Sequence, residues 1–238
     1  MKYLGGKHRQ RKEIARLMTL EEGGTYWEPF VGGGSVAAAV ADTGAFDNMH
    51  LSDLHLDLVL MWQAVLDGWA PPEHVSKDEY AALKAAPPSA ERGFVGFACS
   101  FAAKWFGGYA RCGRKFNYAA AGARGVARKV AALSTVSTVT VSHHSYDAVT
   151  PAPGDVLYLD PPYAATTGYS TGGFGSAAFW TWAQAHAENG VRVFVSEFAA
   201  PDGWAPVWSV NRTATAGPAG KVDAEHLYCW GTDSEIIS

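Results

Sequence analysis

Between Thr25 and Asp53 the chain spells out one folding unit, and that unit limits the architectures open to the rest. Thr25-Tyr26-Trp27 reads as a short strand running into Glu28-Pro29-Phe30-Val31-Gly32-Gly33-Gly34. Ser35 is placed to cap a helix whose small residues, Ala37, Ala38, Ala39 and Ala41, permit close packing on a sheet. Phe46 to Ser52 follows as a weaker strand interrupted by polar residues. It ends at Asp53, after which Leu56, Val59, Leu60 and Leu66 give another helical stripe. Strand, glycine turn, helix and strand suggest a βαβ unit in an α/β sheet. That layout suits an adenosine-containing ligand: glycines permit close approach, and an acid about 20 residues on can accept hydrogen bonds from ribose hydroxyls. A purely structural turn fits the glycines equally, since the full Gly-x-Gly-x-x-Gly spacing is missing, and Asp53 is also placed to cap the next helix.

On either side of this unit the pattern differs. Residues 10 to 20 read as a helix with Ile14, Leu17 and Met18 on one side. After Gly68 the β/α alternation stops: Pro71-Pro72, a helix over 77 to 85, Pro87-Pro88 and a Gly/Arg/aromatic stretch to about Lys129 take its place. Residues 72–132 therefore read as an inserted, mainly helical and loop-rich subdomain, with 1–71 and 133–238 forming the main domain. Strand-like segments resume at Thr135 to Ser142 and Val156 to Leu159. A helix over about 176 to 188 follows, then strands at Val191 to Ser196, Val207 to Val210 and Leu227 to Trp230. Gly217-Pro218-Ala219-Gly220 reads as a turn or mobile loop between the last two.

A chain of 238 residues with 48% hydrophobic content can bury a substantial core. Its formal net charge of -4 argues mildly against nucleic acid, but the distribution argues the reverse. Lys2, Lys7, Arg9, Arg11 and Lys12 open the chain, and Lys104, Arg111, Arg114, Lys115, Arg124, Arg128 and Lys129 cluster without an intervening acid. These are 12 of its 19 basic residues. Positive charge gathered on an otherwise acidic body is what a phosphate-facing surface needs, although solvated helix faces without a partner would show it too. No apolar run is long enough to cross a bilayer, and the start lacks the hydrophobic middle of a secretion signal, so a cytoplasmic protein is expected. Cys99, Cys112 and Cys229 form no Cys-x-x-Cys pair, and His143 and His144 have no ligand partners at metal spacing. Reduced thiols and no bound metal are expected.

The chemistry is concentrated in two short motifs. Asp160-Pro161-Pro162-Tyr163 directly follows the apolar run Val156 to Leu159. It sets a carboxylate, a rigid carbonyl-bearing turn and an aromatic ring at the end of a strand, equipment for gripping a flat base with an exocyclic amine. At the other end of the chain, Tyr3 and Lys7 are joined through Gly5-Gly6, a segment able to wrap over a bound small molecule or simply to remain a basic tail. A Gly-x-x-x-x-Gly-Lys-Ser/Thr loop is missing, which weakens any triphosphatase reading.

Taken in order, Tyr3-Leu4-Gly5-Gly6-Lys7, Trp27 to Ser35, Lys104-Trp105-Phe106-Gly107-Gly108-Tyr109-Ala110-Arg111, Phe116-Asn117-Tyr118, Asp160-Pro161-Pro162-Tyr163 and Val195-Ser196-Glu197-Phe198 closely resemble the Dam-like family of DNA adenine-N6 methyltransferases. The resemblance spans almost the whole chain. It implies a Rossmann-like S-adenosylmethionine-dependent methyltransferase sheet with an inserted DNA-recognition subdomain. It also implies site-specific methyl transfer from S-adenosylmethionine to adenine N6 in double-stranded DNA, yielding S-adenosylhomocysteine. Carried over motif by motif, Tyr3, Lys7, Asp53 and Asp160 are cofactor-site residues, with Phe30, Gly32, Gly33 and Gly34 lining the same pocket. Tyr146, in His144-Ser145-Tyr146-Asp147, resembles the aromatic beside the cofactor adenine, or is a packed strand-end ring. The family's Asn-rich segment is replaced here by Ser100 to Gly108, so the resemblance carries the chemistry rather than GATC recognition.

That reading gives Asp160, Pro161, Pro162 and Tyr163 the catalytic work, on an adenine flipped out of the duplex. Lys104, Arg111, Arg114, Lys115, Asn117, Arg124 and Arg128 are then the DNA-side residues. Among them Arg111, Arg114, Lys115 and Asn117 are candidates for base edges, while Lys104 and Lys129 are assigned to phosphates. Trp105, Phe106 and Tyr109 either stack at the flipped-base opening or form the insert's core, with core favoured for at least one. Phe174 and Phe179 follow a Gly172-Gly173 loop able to close over the base. Cytosine-N4 methylation is the competing enzyme reading, and a DNA-binding protein on an inactive methyltransferase scaffold is the competing class. With neither a cleavage motif nor an obvious dimerisation segment, a stand-alone monomer is expected.

Overall fold

The computed structural model describes residues 3, 5–20, 23–110, 116–162, 175–213 and 222–231. Among them, seven strands form one sheet: β1 (Tyr26–Glu28), β2 (Asn48–Asp53), β3 (Thr138–His143), β4 (Val156–Leu159), β5 (Arg192–Glu197), β6 (Trp204–Thr213) and β7 (Val222–Trp230). Their spatial order is β3-β2-β1-β4-β5-β7-β6. Neighbours from β3 to β5 run parallel, whereas β7 is antiparallel to both β5 and β6. Strand order reverses between β1 and β4, which opens a crevice above their carboxyl ends.

The two-residue period of a strand sorts its side chains into two cores. Tyr26, Met49, Leu51, Val156, Tyr158, Phe194, Leu227 and Cys229 point into the larger one, under α1 (Arg11–Met18), α2 (Ser35–Ala41), α3 (Leu56–Leu66), α5 (Ala90–Ala98) and α6 (Tyr118–Leu133). Leu157, Leu159, Val193, Val195 and Tyr228 point into the smaller one, covered by α7 (Ser176–Glu188). The result is a mixed α/β sheet with flanking helices. No helix among the described residues is long and apolar enough to cross a membrane.

The stretch after Gly68 begins with α4 (Lys77–Ala85), opened by a capping box between Ser76 and Glu79. Helix α5 is capped by Ser89, whose hydroxyl accepts from the Arg92 amide. The Gly/Arg/aromatic stretch read as loop-rich as far as Lys129 becomes helical from Tyr118, as α6. Its glycines lower helix propensity, but packing reverses the preference: a Cβ on Gly122 would lie 2.9 Å from the Ala98 Cβ and 3.1 Å from the Phe94 ring. Phe94, Val95, Phe97, Ala119 and Val126 belong to the same core as β1 and β2. Strand β6 is longer than the Val207 to Val210 expected. Pro206 is accommodated because β6 is an edge strand and its register with β7 shifts between Pro206 and Trp208.

Candidate active site

The glycine turn leaves β1 and the Asp160 turn leaves β4, so pairing of these two strands brings both motifs to the crevice. The turn is held at every residue. The Gly32 amide donates to Asp53 Oδ2 at 2.9 Å, and the Gly32 carbonyl accepts from Trp62 Nε1 at 3.0 Å. Gly33 O accepts from Lys129 Nζ, which also donates to Ser35 Oγ at 3.0 Å. Gly34 sits at φ +61, and a Cβ there would lie 2.7 Å from the Trp62 ring. A Cβ on Gly32 or Gly33 would come within 2.8 Å of Tyr3. The glycines thus admit the chain's own aromatic rings, Tyr3 on one side and Trp62 on the other.

Two expectations change here. Gly34, not Ser35, is the N-cap of α2, and Ser35 is its first helical residue. Lys129, expected on phosphate, is 8% exposed and faces inward to the turn. Burial pulls its ammonium down to about 8; Arg11 adds to the effect and Glu28 opposes it. Asp53 also serves the turn, since its other oxygen accepts from the His55 amide at 2.9 Å. Burial raises its carboxyl while the His55 and Gly32 amides pull it back. A carboxylate has about four lone-pair directions, so these two bonds leave it chemically able to accept from a ribose.

Strand parity sets Glu28 after Tyr26, Asp160 after Tyr158 and Glu225 before Leu227 on the larger-core side. Lys7 enters this layer from the N-terminal segment, 2% exposed. Its Nζ bonds Asp160 Oδ1 and lies 3.1 Å from Glu225 Oε1. Beside them, Glu28 accepts from the Tyr26 hydroxyl at 2.7 Å. Burial pushes the Glu28 carboxyl up to about 8 against the Tyr26 hydrogen bond, and Asp160 pushes it further, so Glu28 is mostly protonated at neutral pH. Tyr158 bonds Ser196 across β4 and β5 at 2.9 Å. Pro161 is buried and Pro162 half-buried.

On the other side of the turn, Phe30 stacks on Tyr146 with centroids 5.6 Å apart and an interplanar angle of 25°. Phe179 meets both rings edge-on from α7 and is fully buried, so it is core beneath this pair rather than a closing group. Phe106 is likewise core. Trp105 packs against His55 and Phe97, and the Tyr109 hydroxyl donates to the Val75 carbonyl. Lys104, Arg124 and Arg128 are exposed. Asn117 is also exposed and caps α6: its Oδ1 accepts from the Ala120 amide at 3.1 Å and its Nδ2 donates to the Glu73 carbonyl at 3.0 Å. Arg111, Arg114, Lys115, Tyr163, Gly172, Gly173, Phe174 and the Gly217 to Gly220 turn lie outside the described residues.

Sequence reasoning passed over Glu225, Trp62 and the inward turn of Lys129. Parity held the signal for Glu225, which shares its strand face with Leu227 and Cys229. Trp62 lies on the buried face of α3 with Leu58, Val59, Met61 and Val65, a face that the expected stripe of Leu56, Val59, Leu60 and Leu66 shares only at Val59.

The set has the chemistry of a cofactor site without phosphates: a carboxylate at the end of β2, a stacked aromatic pair, and a tight glycine turn whose neighbouring lysine is committed to a backbone carbonyl. No curated protein sequence matches the chain. Among solved structures, a conserved hypothetical protein from Streptococcus pyogenes is 13% identical, with 92% of this chain and 94% of that one covered at a TM-score of 0.40. The rRNA methyltransferase aviRa from Streptomyces viridochromogenes is 12% identical, with 93% and 82% covered at a TM-score of 0.39. Likenesses this distant say nothing of substrate. Residues 3–95, which hold Tyr3, Lys7, the glycine turn and Asp53, match the family described as D12 class N6 adenine-specific DNA methyltransferase. The match covers the N-terminal part of the chain, a segment similar to S-adenosylmethionine-dependent methyltransferases, and supports S-adenosylmethionine as the cofactor.

Proposed function

We propose that this chain is a site-specific DNA methyltransferase acting on N6 of an adenine flipped out of duplex DNA. The observation that carries the reading is the Asp160 carboxylate, held by buried Lys7 at the end of β4 and followed by Pro161-Pro162, next to the glycine turn where strand order reverses. Bound S-adenosylmethionine supplies an electrophilic methyl group. Asp53 would accept from its ribose, the stacked Phe30–Tyr146 pair would lie beside its adenine, and Tyr3, Lys7 and the glycine turn would line the remainder.

The amino nitrogen of adenine is a poor nucleophile because its lone pair is delocalised into the ring. Asp160 accepts one N6–H and the Pro161 carbonyl the other, which favours a tetrahedral nitrogen with its lone pair directed at the methyl. These acceptors are preorganised, so their stabilisation grows as positive charge develops on N6. Proline contributes a carbonyl and no competing N–H. Asp160 acts as a hydrogen-bond acceptor and electrostatic stabiliser, and the amine keeps its protons until after attack. Tyr163 stacks on the extruded base.

Flipping costs about a few kcal/mol, which phosphate contacts from residues 72–132, acting as the recognition subdomain, help to offset. Lys104, Arg124 and Arg128 are exposed and take those contacts; Arg111, Arg114 and Lys115 are assigned to DNA with them. Asn117 would have to release its cap to read a base edge. Incubating random-sequence duplex DNA with labelled S-adenosylmethionine and mapping the modified bases tests reaction and specificity together. N6-methyladenine in a defined sequence context is expected. Label on cytosine N4, or tight duplex binding with neither cofactor binding nor transfer, would overturn the assignment.

A further inference from the structure

Glu225 lies outside every motif that suggests the reaction, yet it supplies the second carboxylate in contact with Lys7. The Lys7 and Glu225 side chains are each 1% exposed and that of Asp160 is 19% exposed. Strands β7 and β4 are separated by β5, so the two carboxylates belong to strands roughly 10 Å apart at about 4.8 Å per strand. Lys7 closes that gap. Its ammonium carries three donors and no acceptor, enough to serve both carboxylates at once.

The charge count gives this arrangement a consequence. Lys7 with Asp160 alone would form a neutral pair in which the cation draws on the acceptor strength that a target amine needs. Adding Glu225 leaves the three groups at a net charge of one negative unit and shares the ammonium between two acceptors. We infer that Glu225 is a positioning residue for methyl transfer: it holds Lys7 between two carboxylates, so that Asp160 retains negative charge toward the nitrogen that becomes positive. This rests on the proposed exocyclic-amine methylation. The effect is one of preorganised electrostatics in a buried site, where charges are screened far less than in water.

Glu225→Gln keeps the shape of the side chain and removes its charge. With saturating S-adenosylmethionine and duplex DNA, the single-turnover rate of transfer is expected to fall by about tenfold or more, as removal of a preorganised stabiliser does. The KM for S-adenosylmethionine is expected to change by less than about threefold, since the interaction matters most in the transition state. Glu225→Asp, which keeps the charge but is a methylene shorter, is expected to recover part of the lost rate. A purely packing role predicts the opposite ranking, with Gln tolerated and Asp impaired, and would overturn the inference, as would a wild-type rate in Glu225→Gln.

A second measurement needs no turnover. In urea denaturation, Lys7→Met and Glu225→Gln combined are expected to lower the midpoint by less than the sum of the single variants, because Lys7→Met strands the buried Glu225 charge and the double variant no longer carries it. Additive midpoint losses would remove the contact and the inference with it. Coupled midpoints in a wild-type protein that methylates no DNA would leave the contact standing and reject both the reaction and the role built on it.

Discussion

Glu28→Gln tests the electrostatics of the buried layer without touching the residues assigned to substrate. In the folded protein the Glu28 carboxyl is raised from 4.5 to about 8, chiefly by burial. A raised pKa means that the folded state holds a proton the unfolded chain has released. The stabilising contribution is complete below pH 4.5 and is lost as pH rises through about 8, at up to about 1.4 kcal/mol per pH unit. Over the whole window this amounts to about 5 kcal/mol, and between pH 5 and pH 7 to about 2.5 kcal/mol. Lys129 does not interfere: its pKa is lowered from 10.5 to about 8, so its linkage raises stability with pH only above that range. Gln has no proton to lose and still offers a carbonyl to the Tyr26 hydroxyl. Urea denaturation followed by tryptophan fluorescence, on both proteins from pH 5 to pH 8, cancels the other titrating groups in the difference. The variant should gain about 2.5 kcal/mol on the wild type between pH 5 and pH 7. A difference that stays within about 0.5 kcal/mol over that interval would refute a neutral Glu28.

Asp160→Ala should abolish methyl transfer and leave a folded protein, because Lys7 keeps Glu225 as a partner; near-normal turnover would contradict the role given to Asp160. Replacing Arg124 and Arg128 together with Gln should weaken duplex binding uniformly across sequences and reduce the salt slope by about 2, measured by fluorescence anisotropy at several salt concentrations. An unchanged slope would take both off the DNA face. Gly34→Ala should cost about 2–4 kcal/mol of stability, from left-handed strain and from the clash with Trp62, and should weaken S-adenosylmethionine binding in a calorimetric titration. Wild-type affinity in that variant would show that the turn's conformation does not matter to the cofactor.

Much of the sheet was legible from local pattern. β4 and α7 fall where their sequences place them, Val156–Leu159 and Ser176–Glu188, because a short apolar run and an alanine-rich stretch are properties of neighbouring residues. α6 was harder to see: Gly122 and Gly125 weaken it locally, and the close approach to Phe94 and Ala98 that favours them is a tertiary fact. Lys129 was misplaced for the same reason. In the sequence it continues a basic run with Arg128, but a helix turns consecutive residues about 100° apart, which leaves Arg128 in solvent and Lys129 against Gly33.

By itself the sequence determined the order of elements, the glycine turn after β1, the Asp160 turn after β4 and the concentration of positive charge, since each is a property of contiguous residues. Only the tertiary structure decided which groups meet. Lys7 finds Asp160 across 153 residues and Lys129 finds Gly33 across 96, and Glu225 joins the first pair only because β7 inserts antiparallel beside β5. The physical reason is that a buried charge must be matched by another, and which side chains are close enough to match it is set by strand order and helix packing, not by distance along the chain.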